Sequence, residues 1–142
     1  MSAPDNPLKA RARSLGIKMV ERAHVPSSRR AHECTEFARS AGKLAPFHAA
    51  VLAAYWSEGK DLHDWDVLAA AATAAGLDAA AMRAAVEAGA LRAAVDQRVA
   101  AAHDLGVHAV PTFVIADRLM VEGAQTAEAF AAALAQLGVK PR

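Results

Sequence analysis

The sequence predicts an α/β chain dominated by helices, and three observations predict it. Most of the length is a succession of alanine-rich segments, many opened by a residue that caps helices and closed by glycine. Within those segments the larger apolar residues recur at helical spacing. One stretch departs from the pattern: His108 to Gln125, HAVPTFVIADRLMVEGAQ, is rich in β-branched and aromatic residues and predicts a β-hairpin.

The elements follow in order. Asn6-Pro7 is a helix start, a capping side chain before a proline, and Gly16 ends the segment Leu8 to Leu15. Ile17, Met19 and Val20, with Lys18 and Glu21 interleaved, predict a short strand. After a loop from Arg22 to Pro26, Ser27 or Ser28 is positioned to cap a helix reaching about Ala41. Ala31, Cys34, Phe37, Ala38 and Ala41 share one face of it, and Gly42 stops it. Pro46 opens the next helix, striped by Phe47, Val51, Leu52 and Tyr55, flanked by His48 and Trp56 and ended by Gly59. Asp64 is placed to cap Trp65 to Ala75, and Asp78 to cap a helix with Met82 and Val86 inward. A fifth long helix runs from Ala90 to Leu105, through Leu91, Val95, Val99 and Ala102, and Gly106 releases it into the hairpin. Thr112 to Ile115 form the first strand, Ala116 to Arg118 the turn, and Leu119 to Val121 the second strand. A last helix from Gln125 or Thr126 carries Phe130, Ala133, Leu134 and Leu137. Lys140-Pro141-Arg142 is a frayed end.

Composition bounds the function. The 142 residues are 54% hydrophobic, enough for one domain with its own core, but much of that is alanine, so helices approach closely while each buries little area. A formal charge of +1 leaves no electrostatic footprint for nucleic acid or an acidic membrane. Every alanine run is broken before the ~20 apolar residues of a membrane span, and Met1 to Pro7 lacks the apolar region of a signal peptide, so a cytoplasmic protein is expected. His48 has no companion at a metal-ligand spacing, and neither a metal site nor a bound cofactor is expected. The single cysteine, Cys34, excludes an intramolecular disulfide and any Cys-x-x-Cys within these residues. It sits mid-helix on the apolar stripe, which points to a structural thiol rather than a reactive one.

The run GVHAVPTFVI, Gly106 to Ile115, followed by the hairpin, by Gly123-Ala124-Gln125 and by a terminal amphipathic helix, resembles the C-terminal part of the DsbA-like thioredoxin-fold family, in its FrnE-like branch. The resemblance continues upstream through Pro26-Ser27-Ser28-Arg29-Arg30-Ala31-His32, Phe37-Ala38, Tyr55-Trp56-Ser57-Glu58-Gly59-Lys60-Asp61 and Ala75-Gly76-Leu77-Asp78. It thus spans about Leu15 to Gly138. In that family the proline is cis and its loop faces the redox cysteines. The resemblance therefore implies a cis Pro111 and a substrate-binding role for Val110, Pro111 and Thr112.

It also implies an incomplete thioredoxin-like fold: a short sheet with a C-terminal hairpin and helix, one domain over residues 1–142, and a multi-helix insertion at about 28–89. The family's first strand and its Cys-x-x-Cys or serine-type active site would precede residue 1, so a truncated protein is expected, redox-inactive or completed by a partner. The alternatives are a non-catalytic peptide- or glutathione-binding module and a helical protein-interaction domain. A peptide or thiol ligand at the proline loop is the expected small partner. In the family's strand order the absent strand lies between the Ile17 and Thr112 strands, so a homodimer that repairs the sheet is expected as well.

Overall fold

The structure, a computed structural model, describes residues 7–21 and 25–139. The described elements are α1 (Pro7–Ser14), α2 (Arg29–Ser40), α3 (Leu44–Leu52), a π-helical turn (Ala53–Ser57), α4 (Trp65–Ala74), α5 (Ala79–Glu87), α6 (Arg92–Asp104), β1 (Thr112–Ile115), β2 (Leu119–Glu122) and α7 (Ala127–Gln136). The architecture is mixed α/β, mostly helical with one two-stranded antiparallel sheet, as the sequence predicts. The chain divides into two compact units, Met1–Gln97 and Arg98–Arg142, with α6 contributing to both. The Asn6 cap, most of the loop after Glu21, and Lys140 to Arg142 lie outside the described residues.

In the first unit α2 packs on α3 and α5, and α4 packs on the same two helices, so the four enclose one core. Phe47, Leu68, Met82 and Cys34 are its largest fully buried side chains, and alanines 31, 38, 71, 72 and 75 fill between them. The caps anticipated at Asp64 and Asp78 are made. Asp64 accepts from the Asp66 N–H at 2.9 Å and Asp78 from the Ala81 N–H at 3.0 Å, each satisfying a first-turn donor.

Several expectations need correction. Ser28 occupies the N-cap position of α2 but makes no side-chain cap, because its backbone (φ −95°, ψ 0°) is not the extended one that turns a hydroxyl back to the helix. The α3 helix begins at Leu44, two residues before Pro46, a placement its first turn tolerates since those N–H groups lack intrahelical partners anyway. The α6 helix begins at Arg92 rather than Ala90. Finally, Ile17 to Val20 form no strand. They lie instead against the end of the π-helical turn after α3: the Trp56 carbonyl accepts from the Val20 N–H at 2.9 Å, while the Ser57 hydroxyl donates to the Lys18 carbonyl at 3.1 Å. These bonds hold the segment to a helix end.

The α2 stripe is wider than predicted. Ala31, Cys34 and Ala38 are buried and Phe37 half-buried, but Ala41 is exposed and Glu33 and Glu36 are buried instead. Glu33 is tolerated because the Arg29 Nε donates to it at 3.0 Å, and Arg29 also reaches Asp96 of α6 at 2.6 Å through Nη1. The guanidinium holds the Asp96 carboxyl below the usual carboxylate range.

In the second unit Phe113 pairs with Val121 and Ile115 with Leu119, and the Phe113 ring meets Phe130 of α7 edge-to-face at 4.8 Å. Thr126 caps α7 by accepting from the Ala129 N–H. The hairpin turn places Ala116 and Asp117 at φ 53° and 52°, and the Arg118 N–H closes it on the Ile115 carbonyl at 3.1 Å. Two positive φ values in the middle of such a turn normally select Asn-Gly. A Cβ at left-handed φ costs about 1–2 kcal/mol, of which glycine's greater unfolded-state freedom returns roughly half. Ala116→Gly should therefore stabilise the protein by about 0.5–1 kcal/mol. The check is the urea midpoint, and a fall in it would refute the turn geometry.

Candidate functional site

The segment from Leu105 to Thr112 is built by the end of α6 and the start of β1. Gly106, at φ +78°, ends the helix: its N–H donates to the His103 carbonyl at 2.8 Å and the Val107 N–H to the Ala102 carbonyl at 2.9 Å. From His108 to Pro111 the residues are exposed. The Val110-Pro111 peptide bond is cis.

Two hydrogen bonds fix the loop from either side. The Thr112 hydroxyl donates to the Ala109 carbonyl at 2.6 Å, and the Gly123 N–H donates to the Pro111 carbonyl at 2.8 Å. The second of these also sets the alternation of the ladder. With Pro111 facing Gly123, Phe113 and Ile115 face β2, and the backbone groups of Thr112 and Val114 point away from it.

The three residues singled out for substrate binding thus occupy one short loop, each presented differently. Val110 is 90% exposed, and among the described residues its N–H and C=O have no hydrogen-bond partner. Pro111 is exposed beside it, and Thr112 is half-buried with its hydroxyl engaged. An exposed apolar side chain next to a free donor and acceptor offers an extended peptide both a contact and two backbone bonds. Nearby, the His103 and His108 rings lie 6.4 Å apart. Among the described residues no three His, Cys, Asp or Glu side chains converge as metal ligands would.

Cys34 belongs to the core of the first unit, fully buried between Ala31 and Ala38 of its own helix and the side chains of the facing helices. Burial pushes its thiol up to about 12, and the neighbouring Glu33 carboxylate adds to this, against a smaller opposite pull from Arg30. His48 is exposed. Sequence alone does not single out Trp65 and the arginines around it, whose arrangement depends on three helices meeting; Arg29-Arg30 shows there only as the densest basic pair.

The DSBA-like thioredoxin domain matches this chain over residues 6–135. The chain is also similar to the crystal structure of a probable DsbA oxidoreductase from Streptomyces coelicolor, with a TM-score of 0.81 and 30% sequence identity. That match covers 95% of this chain and 59% of the other, so the chain spans little more than half of that protein's length. A search of curated proteins finds no match.

Proposed function

Because the chain belongs to the DSBA-like thioredoxin-domain family, we propose that it supplies the substrate-presenting part of a DsbA-like oxidoreductase of the FrnE-like branch and performs no disulfide exchange by itself. The observation that carries this reading is the pairing of a presented loop with an inert thiol. The Val110–Thr112 loop offers an N–H and a C=O that have no partner among the described residues and an exposed side chain, while the only cysteine is sealed in a helical core. Disulfide exchange needs an accessible thiolate and a second thiol to resolve the mixed disulfide, and one buried Cys34 meets neither requirement. On this reading the redox couple comes from outside these 142 residues, and the two compact units form a single DsbA-like domain carrying a helical insertion.

The test has two parts. The 142-residue chain should not accelerate the reduction of insulin by dithiothreitol, and an extended cysteine-containing peptide should shift the backbone amide resonances of Val110 and Thr112. Catalysis by this chain alone would overturn the redox half of the reading. A peptide that perturbs no resonance between Gly106 and Ile115 would overturn the binding half.

A homodimer is part of the same proposal. Two-stranded sheets are marginal in water, and β1 turns the backbone groups of Thr112 and Val114 outward. On the sheet face away from Phe130, Val114 is 45% exposed and its partner Met120 39%. A second copy pairing along β1 satisfies those groups and flanks Val114. Sedimentation at micromolar concentration should show a species of about twice 14.8 kDa that Val114→Lys dissociates. A wild-type chain at the single mass would sink the dimer.

A further inference from the structure

The first unit holds a cleft of about 540 Å³ where α2, α4 and α6 begin and α5 ends, lined by Arg29, Arg30, Arg92, Trp65, Glu33 and Glu87 among others. Its volume lies within the range of small-molecule sites, about 300–1,000 Å³. None of its lining residues belongs to the Val110–Thr112 loop.

The charges divide into answered and unanswered. Arg29 is fully engaged: Nε with Glu33 at 3.0 Å, Nη1 with Asp96 at 2.6 Å, and Nη2 donating to the Arg92 carbonyl at 3.1 Å. Glu87 is answered by the Arg83 Nε at 2.9 Å. Both carboxylates lining the cleft are therefore neutralised by arginines in place. Arg30 and Arg92 are different, since neither guanidinium pairs with a carboxylate among the described residues.

Arg30 is held in position, and the Arg92 side chain packs on its own helix start. Arg30 lies over the Trp65 ring, 4.6 Å from its centroid, and donates through Nη1 to the His63 carbonyl. The Arg92 side chain folds across Gly89, where a Cβ would meet its Cζ at 3.3 Å, and the Arg92 backbone is tied to Arg29 through its carbonyl. Gly89, at φ +74°, provides that clearance. Two guanidinium forks without a carboxylate among the described residues, one of them preorganised on Trp65, in a cleft whose own acids are already paired, form a receptor for oxygen anions, because the planar fork matches carboxylate and phosphate geometry.

We propose that this cleft binds a multivalent oxyanion, phosphate or carboxylate, carried by a small organic molecule, with Arg30 and Arg92 as its direct ligands. Trp65, beneath Arg30, is the built-in reporter. The test is a titration of the full chain carrying Trp56→Phe, so that emission comes from Trp65 alone, with pyrophosphate and with citrate at an ionic strength held constant by sodium chloride. Calorimetry on the unsubstituted chain replaces fluorescence if that background does not fold.

A saturable change with at least one probe is expected, weakened tenfold or more by Arg92→Gln, whose side chain is exposed at the start of a helix and whose loss should leave the far-ultraviolet circular dichroism unchanged. Saturation by pyrophosphate alone assigns a phosphate ligand, by citrate alone a carboxylate, and by both the shared oxyanion chemistry. No saturation with either probe overturns the proposal. So does an affinity that Arg92→Gln leaves unchanged.

Discussion

Phe47→Ala is expected to cost about 3–5 kcal/mol of unfolding free energy, the upper range for emptying a buried aromatic site. The ring is fully buried in the cluster that also holds Cys34, Leu68 and Met82, and the space between those few large side chains is filled by alanines. An alanine has no rotamer with which to follow a receding neighbour, so the cavity collapses little and the full cavity penalty remains. Single-domain stabilities run to about 5–15 kcal/mol, which puts the variant close to unfolded at 37 °C. The measurement is urea unfolding followed by circular dichroism at 222 nm. A loss below about 1 kcal/mol would mean that the four-helix core is not the stability-determining part of the molecule.

The same feature explains what was legible in the sequence. Helices were readable because each carries local punctuation: Asp64 and Asp78 cap as the pattern requires, and Gly106 ends α6 where glycine was expected to end it. The hairpin was readable from its β-branched run, and its strands fall at Thr112–Ile115 and Leu119–Glu122. Ile17 to Val20 form no strand because alternation of apolar and polar residues specifies a face, while a strand also needs a neighbour to pair with, and here Trp56 offers a single carbonyl. The burial of Glu33 was invisible for a similar reason. Its compensation comes from Arg29, whose guanidinium is itself anchored 67 residues away at Asp96. Pro111 and its neighbours are legible in the sequence through resemblance, while the bonds that shape their loop, from Thr112 to Ala109 and from Gly123 to Pro111, join residues whose proximity only the folded chain creates.

Cys34 is expected to react with Ellman's reagent at pH 7 on the order of a thousandfold more slowly in the folded protein than after unfolding in urea, where one thiol per chain should titrate at once. The nucleophile is the thiolate. Raising the thiol from an ordinary 9.0 to about 12 lowers the thiolate fraction at neutral pH by about three powers of ten, before any steric exclusion is counted. Reaction then proceeds through opened chains, so its rate should follow stability and rise sharply in Phe47→Ala, which loosens the same cluster. The pH dependence has a definite sign. A group whose folded value lies above its unfolded one favours the folded state below the unfolded value, so the contribution of the buried neutral thiol is complete below pH 9 and is lost as pH rises toward 12. Cys34→Ala should remove that alkaline loss while leaving peptide binding at the Val110–Thr112 loop intact. Native-state labelling within tenfold of the unfolded rate would show an accessible thiolate, and would give this chain a part in thiol chemistry through Cys34 itself.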